Sequence, residues 1–312
     1  MHENQLAPVV LFVYNRPEHT MRLLRSLNRT NEAVHTKLFI FSDQAKNETM
    51  QEKVQEVRRF IARFIKDESC FREVEVREAV KNKGLAKSII DGVTDIIEIY
   101  GKVIVLEDDL EVSADFLNYM NGALDFYRDA DDIWAISGYT FPMKALEGYR
   151  HDVYLTGRGC SWGWATWQER WNTVDWNVRD YPKFKHNIAK RHAFAKWGGD
   201  LPEMLDAYMY GEIHSWAIRW CYEAFKQGKL TVYPTRSKVK NGGTDGSGTN
   251  FHSVETRYDT QLSTCNQSCV FEHCDVDERI RREFASKYLT SIEKVKLKVR
   301  WFLIRIGLLR RK

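Results

Sequence analysis

The chain has 312 residues, 43% of them hydrophobic and 29% charged, with a formal net charge of +4. That length holds one large α/β domain or two small ones, and that apolar share fills a complete core. So weak a net charge decides nothing globally: no nucleic-acid partner is expected, and MHENQLAPVVLFVYNRP shows neither a basic leader nor a long apolar anchor. Six cysteines without secretory context are expected to be reduced thiols in a cytosol. Cys265, Cys269 and Cys274, with His273 beside them, lack the paired CxxC spacing of structural zinc sites, so metal there is the weaker reading.

Pro8–Tyr14 (PVVLFVY) reads as a first buried strand ending at Asn15-Arg16-Pro17, and Glu18–Asn28 follows with Leu23, Leu24 and Leu27 at helical spacing. Strand, tight turn and helix make the opening unit of a nucleotide-binding sheet. Arg16 stands where a guanidinium can grip a diphosphate through paired hydrogen bonds; the plainer reading is an arginine capping a turn. Lys37–Ser42 is a second strand ending in Asp43, whose plain role is N-cap of a long helix to about Lys66. Glu73–Val80 is a third strand. Asn82-Lys83-Gly84 then opens a helix, Ala86–Tyr100, with a core stripe of Ile89, Ile90, Val93, Ile96 and Ile97. Helix starts favour anions, which points Lys83 at a phosphate. The full P-loop spacing is missing, so ATP hydrolysis is not supported.

The most informative stretch is Gly101–Asp115, GKVIVLEDDLEVSAD. Lys102–Leu106 reads as a strand buried on both faces, and it runs straight into Glu107, Asp108 and Asp109. Three consecutive carboxylates there repel one another and resist desolvation. A divalent cation on an anionic ligand removes that conflict, and ligands of open α/β sheets sit beyond the carboxyl ends of the strands. The alternative is an acidic loop in solvent.

Phe116–Tyr127 is an amphipathic helix and Asp132–Ser137 another strand. Thr156–Trp171, TGRGCSWGWATWQERW, then packs four tryptophans and three glycines into one span. Flat indoles cover the C–H faces of pyranoses, and glycines let backbone approach; Gly159, Trp162, Gly163 and Trp164 are the candidate sugar or acceptor contacts. A domain-packing cluster is the competing reading. Asp175–Trp197 is basic and aromatic, helical in pattern but without visible chemistry. Leu201–Met209 and Ser215–Gln227 read as helices around Tyr210-Gly211-Glu212-Ile213-His214. Leu230–Tyr233 is a last strand, followed by a glycine-rich turn, Lys238–Asn250, in which Asp245 is a candidate contact or ordinary loop polarity.

GKVIVLEDDLEVSADFLNYM resembles the metal-binding segment of GT-A glycosyltransferases, most closely the N-acetylglucosaminyltransferase I type with its EDDLEV…DF string. The match over Lys102–Tyr119 is specific; elsewhere short motifs scatter over Pro8–Asn250. The resemblance implies a Rossmann-like α/β fold with a mainly parallel sheet, and a nucleotide-sugar donor held with Mn²⁺ or Mg²⁺. It implies Asp109 as metal ligand, Asp108 and Glu107 along ribose and sugar, Asn15 and Arg16 at the diphosphate, and Asp43 at uracil. The family's general base is an aspartate shortly before a tryptophan; aligned on Trp216, His214 stands there, with Glu212 the other choice. A neutral imidazole can take a proton near neutral pH. A late histidine of the family, toward metal or diphosphate, would be His252, with Asn250 as the rival.

The expected layout is a GT-A domain over 1–260 and a helical extension over 261–312. Ser291–Lys312 has helical spacing of Ile292, Val295, Val299, Phe302, Leu303 and Ile306 among eight basic residues, which suits an anionic membrane surface or a helix docked on the domain. The expected enzyme is therefore a metal-dependent, inverting glycosyltransferase, cytoplasmic or peripheral at the inner membrane face, acting on a glycan or lipid-linked acceptor in polysaccharide synthesis. A non-catalytic carbohydrate-binding protein and a sugar-1-phosphate nucleotidyltransferase are the alternatives. Against the latter, no glycine-rich, lysine-bearing loop follows the first strand.

Overall fold

The computed structural model describes residues 6–243, 259–263 and 269–288, together with Val295. Its first half alternates strand and helix: β1 (Val9–Val13), α1 (Pro17–Asn28), β2 (Lys37–Ser42), α2 (Glu48–Asp67), β3 (Glu73–Glu78), α3 (Leu85–Tyr100) and β4 (Lys102–Glu107). The second half is more varied: β5 (Leu110–Val112), α4 (Phe116–Phe126), β6 (Ile133–Ser137), β7 (Val153–Thr156) and β8 (Trp164–Trp167). Short helices follow, α5 (Gln168–Trp171), α6 (Tyr181–Lys185), α7 (Ile188–Ala195), α8 (Leu201–Met209) and α9 (Trp216–Lys226). The described chain ends with β9 (Leu230–Pro234), β10 (Val239–Asn241) and α10 (Glu278–Ser286).

Among the described residues eight strands form one sheet in the order β3-β2-β1-β4-β8-β6-β9-β7, and β10 pairs with β5 in a separate antiparallel ribbon. The β1–β2, β2–β3, β1–β4 and β6–β9 pairs are parallel. β8 runs against both β4 and β6, so β6 keeps the direction of β4. This is the expected α/β architecture, a mainly parallel sheet with flanking helices.

Every residue of β1 is buried because both sheet faces are covered, and the strand's alternation divides it between two cores. Val9, Leu11 and Val13 join Leu23, Leu24 and Leu27 of α1, Phe60 of α2 and Phe116 of α4. Val10 and Phe12 face the other way, toward Ile89, Val93 and Ile96 of α3 and Trp216 and Trp220 of α9. Gly101 ends α3 in the left-handed region at φ +72°, its N–H donating to the Ile97 carbonyl, and so turns the chain directly into β4. A smaller core joins α6, α7 and α8 to the outer side of α9 through Phe184, Phe194, Leu205 and Tyr222.

WATW, within the span offered for sugar or acceptor contact, is the buried strand β8. Beyond residue 260, Ile280 and Phe284 of α10 are buried in the larger core, Phe284 against Phe141 and Tyr233. Residues 269–288 thus supply side chains to the main core. Among the described residues no helix is long and apolar enough to cross a membrane.

Candidate active site

The parallel register carries the ends of β1, β2, β4 and β6 to one edge of the sheet. That edge receives Tyr14–Arg16, Asp43, Glu107–Asp109 and Gly138. The start of α9 lies there too, because Trp216 stacks on Trp164 with centroids 5.0 Å apart, and Trp164 pairs with Val105 and Ser137 in the sheet. Ser215 caps that helix, its hydroxyl accepting from the Ile218 N–H.

The acid triplet sits at the centre of this edge. Its carboxylates are enclosed, though each keeps some surface. Burial, then repulsion from Asp109 and Asp108, pushes Glu107 well above the usual carboxylate range. Burial and the charge of Asp109 push Asp108 up to about 7, against the pull of Arg16 and of the Tyr14 N–H, which donates to Asp108 Oδ2 at 3.1 Å. Asp109 is also raised by burial, less so because Arg16 and His19 oppose it. Arg16 Nη1 meets Asp109 Oδ2 at 3.0 Å.

The ribbon of β10 on β5 brings Gly242 and Gly243 back over this acid. The Gly242 N–H donates to the Asp109 carbonyl at 2.7 Å, and a methyl on Gly243 would overlap Asp109 Oδ2. His19 Nε2 lies 3.4 Å from the Gly242 carbonyl oxygen, and Arg22 borders the same glycine. His19 and Arg22 were missed by the sequence reading. Their signal was available: Arg16, His19 and Arg22 recur every three residues, the spacing that stacks side chains along one helix face.

Asp43 does not cap α2, whose N-cap is Asn47. Its carboxylate accepts the N–H groups of Gln44, Lys83 and Gly84, each at 2.9 Å, and Asn82 Nδ2 at 3.1 Å. It therefore ties the β2 end to the loop before α3. The Lys83 ammonium pairs with Asp91 at 3.3 Å, and Asn15 is half-buried beside Arg16.

The tryptophan span divides. Trp164 is 1% exposed and lies among the rings of Trp171, Trp216 and Trp220, so no face is left for a sugar. Gly159 makes room for Trp220, and Gly163, at φ +66°, for Val239 and Leu106. These three serve packing, as the competing reading had it. Trp162 is different: half-buried, its ring stands edge-on to Tyr139 at 4.7 Å. Glu212 and His214 are exposed on the turn between α8 and α9, and among the described residues no hydrogen bond or ion pair joins either to the acid triplet. Asp245, Asn250 and His252 lie outside the described residues, as do Cys265 and most of Ser291–Lys312.

Among the described residues no three His, Cys, Asp or Glu side chains are grouped to cage an ion. A divalent ion at this edge would be held by Asp109, whose carboxylate oxygens suit a hard cation such as Mg²⁺ or Mn²⁺. Among the described residues one guanidinium, that of Arg16, contacts this enclosed group of carboxylates, and such a site fits a cation.

No family model matches the chain. Over 194 residues it is 26% identical to alpha-1,3-mannosyl-glycoprotein 2-beta-N-acetylglucosaminyltransferase of Arabidopsis thaliana, covering 58% of this chain and 41% of that one. The chain resembles the GT-A glycosyltransferases. It spans about two fifths of the length of that relative. Among solved structures, S. aureus TarS 1–349 is similar with a TM-score of 0.39 and 11% identity over 76% of this chain and 61% of that one. The same protein in complex with UDP-GlcNAc gives 0.39 and 9% over 74% and 57%. Likenesses at that score carry no weight, and the fold rests on the strand order above.

Proposed function

We propose that the chain is an inverting, metal-dependent glycosyltransferase that moves a hexosyl or N-acetylhexosaminyl group from a nucleotide sugar, a UDP-sugar first, to a hydroxyl of a glycan or lipid-linked acceptor. The observation that carries this reading is the acid triplet at the carboxyl end of β4, facing Arg16 and roofed by Gly242 and Gly243. Arg16, with His19 and Arg22 behind it, receives the diphosphate. Asp108 and Glu107 meet ribose and sugar hydroxyls, and Asp43 with Asn82–Gly84 borders the base. A cation held by Asp109 would neutralise charge on the departing diphosphate.

The acceptor oxygen attacks the anomeric carbon as the bond to the diphosphate breaks, and the acceptor proton passes to His214 or Glu212. Inversion follows from the single displacement. Cell-surface polysaccharide synthesis at the inner membrane face is the setting proposed, with Ser291–Lys312 reaching anionic lipid. The carbohydrate-binding alternative loses its main support once Trp164 is core, and the nucleotidyltransferase alternative still lacks its loop, since Asn15-Arg16-Pro17 passes directly into α1.

Nucleotide release from a panel of UDP- and GDP-sugars, with Mn²⁺ and with a chelator, tests the proposal. Release should need the cation and vanish in Asp109→Ala. His214→Ala should lose about 10²–10⁴-fold in kcat with donor affinity retained, the usual scale for a positioned base; wild-type turnover in that variant passes the role to Glu212. Consumption of no donor under any condition would end the transferase reading.

A further inference from the structure

Residues 179–196, which include α6 and α7, carry six Lys or Arg against one acid. Two of the six are engaged elsewhere: Arg179 pairs with Asp175, and Arg191 with Asp206. The remaining lysines, Lys183, Lys185, Lys190 and Lys196, are exposed. Among the described residues Lys183 and Lys190 make no ion pair, and Lys185 Nζ sits 5.2 Å above the ring of Tyr210. Two large apolar groups stand out among these cations. Ile188, at the first turn of α7, is 72% exposed and Tyr210 is 57% exposed.

A soluble polyanion is served by lysines alone and gains nothing from an isoleucine held out in water. A bilayer with anionic headgroups uses both, the cations at the surface and the apolar side chains at the acyl boundary. The chain's later course agrees. Arg281 Nη1 donates to the Lys196 carbonyl at 2.7 Å, and a methyl on Gly198 would lie 3.4 Å from Tyr288 Cβ. Tyr288 thus leaves the described body beside the end of α7, and the sequence that follows, Ser291–Lys312, holds eight Lys or Arg and one Glu.

We propose that the exposed face of α6 and α7, with Lys183, Lys185, Ile188, Lys190 and Tyr210, is a docking surface for an anionic lipid bilayer. It is separate from the acid triplet and does not depend on the transfer chemistry. Tyr210 opens the turn that carries Glu212 and His214, so docking here presents that turn to a lipid-borne acceptor.

Co-sedimentation of the full chain with mixed phosphatidylglycerol and phosphatidylcholine vesicles, against phosphatidylcholine alone, tests the surface. The wild type should bind only the anionic vesicles, with free glycerol phosphate failing to compete. Lys183→Gln with Lys190→Gln should weaken binding about thirtyfold, the weight of two lysines at an anionic leaflet. Ile188→Ser should weaken it about tenfold and Ile188→Trp should tighten it, since an apolar side chain is what enters the acyl boundary. Unchanged circular dichroism and denaturant unfolding show that the variants fold. Wild-type vesicle binding by the double lysine variant overturns the proposal, as does a wild type that ignores anionic vesicles. If the lysines matter, Ile188→Ser is silent and soluble poly(glycerol phosphate) competes, the partner is a soluble polyanion and the bilayer is ruled out.

Discussion

Asp109 is positioned as much by what lies over it as by Arg16. Its carbonyl accepts from Gly242, and its carboxylate fills the place a side chain at 243 would need. Gly243→Ala must displace either the carboxylate or the ribbon. Such overpacking costs about 1–3 kcal/mol of stability. The larger expected effect is on Mn²⁺-dependent UDP affinity, which should fall at least tenfold, roughly the effect of losing one aligned contact, by calorimetry. Wild-type affinity in this variant would mean that Gly243 does not hold the acid in place. The acids also set a pH dependence. Burial raises all three, so the folded protein holds protons that the unfolded chain releases near pH 4. Without cation or nucleotide, their contribution to stability is therefore greatest at low pH and is lost as pH rises through about 7 for Asp108. Denaturant melts in chelator between pH 5 and 8 should show that loss, and Asp108→Asn should flatten it; an unaltered slope would mean that Asp108 ionises normally.

At the level of elements, the strands of the first half were legible because unbroken apolar runs with helices between them have one stable arrangement, a covered parallel sheet. β8 was not. Indoles that cover a sugar and indoles that fill a core look the same along the chain. What decides is contact with Trp216 and Trp220, about fifty residues on, which no local pattern carries. Asp43 shows the same limit: along the chain it reads as the cap of α2, but its partners stand some forty residues away at Asn82–Gly84. The distinction is measurable. Trp164→Ala should cost about 3–5 kcal/mol in denaturant unfolding, as large core truncations do. Trp162→Ala should leave stability within about 1–2 kcal/mol, its half-exposed ring having less to lose. Equal losses would contradict the division of the tryptophan span.

Across the whole molecule, residues 269–288 close the side of the sheet that α1, α2 and α4 leave open. Phe284 lies against Phe141, Tyr154 and Tyr233, and the Glu283 carboxylate accepts the Lys144 and Ala145 N–H groups. The sequence offered a boundary near residue 260 because apolar periodicity weakens there; a nine-residue helix with two core side chains is too short to stand out. Phe284→Ala should therefore destabilise the whole body by about 3–5 kcal/mol in one cooperative transition. A separate early transition would mean that this segment is an independent unit after all.

The proposed sugar transfer depends on the acid edge binding a nucleotide diphosphate together with a divalent cation. Calorimetry of UDP with the full chain, in Mn²⁺ and in chelator, for wild type and Asp109→Ala, addresses that most directly. The wild type should bind in Mn²⁺ and lose at least tenfold in affinity in chelator, the effect of about one strong contact, if Asp109 holds a cation for the nucleotide. Asp109→Ala should bind equally weakly in both. Mn²⁺-dependent binding that survives Asp109→Ala unchanged would contradict the site.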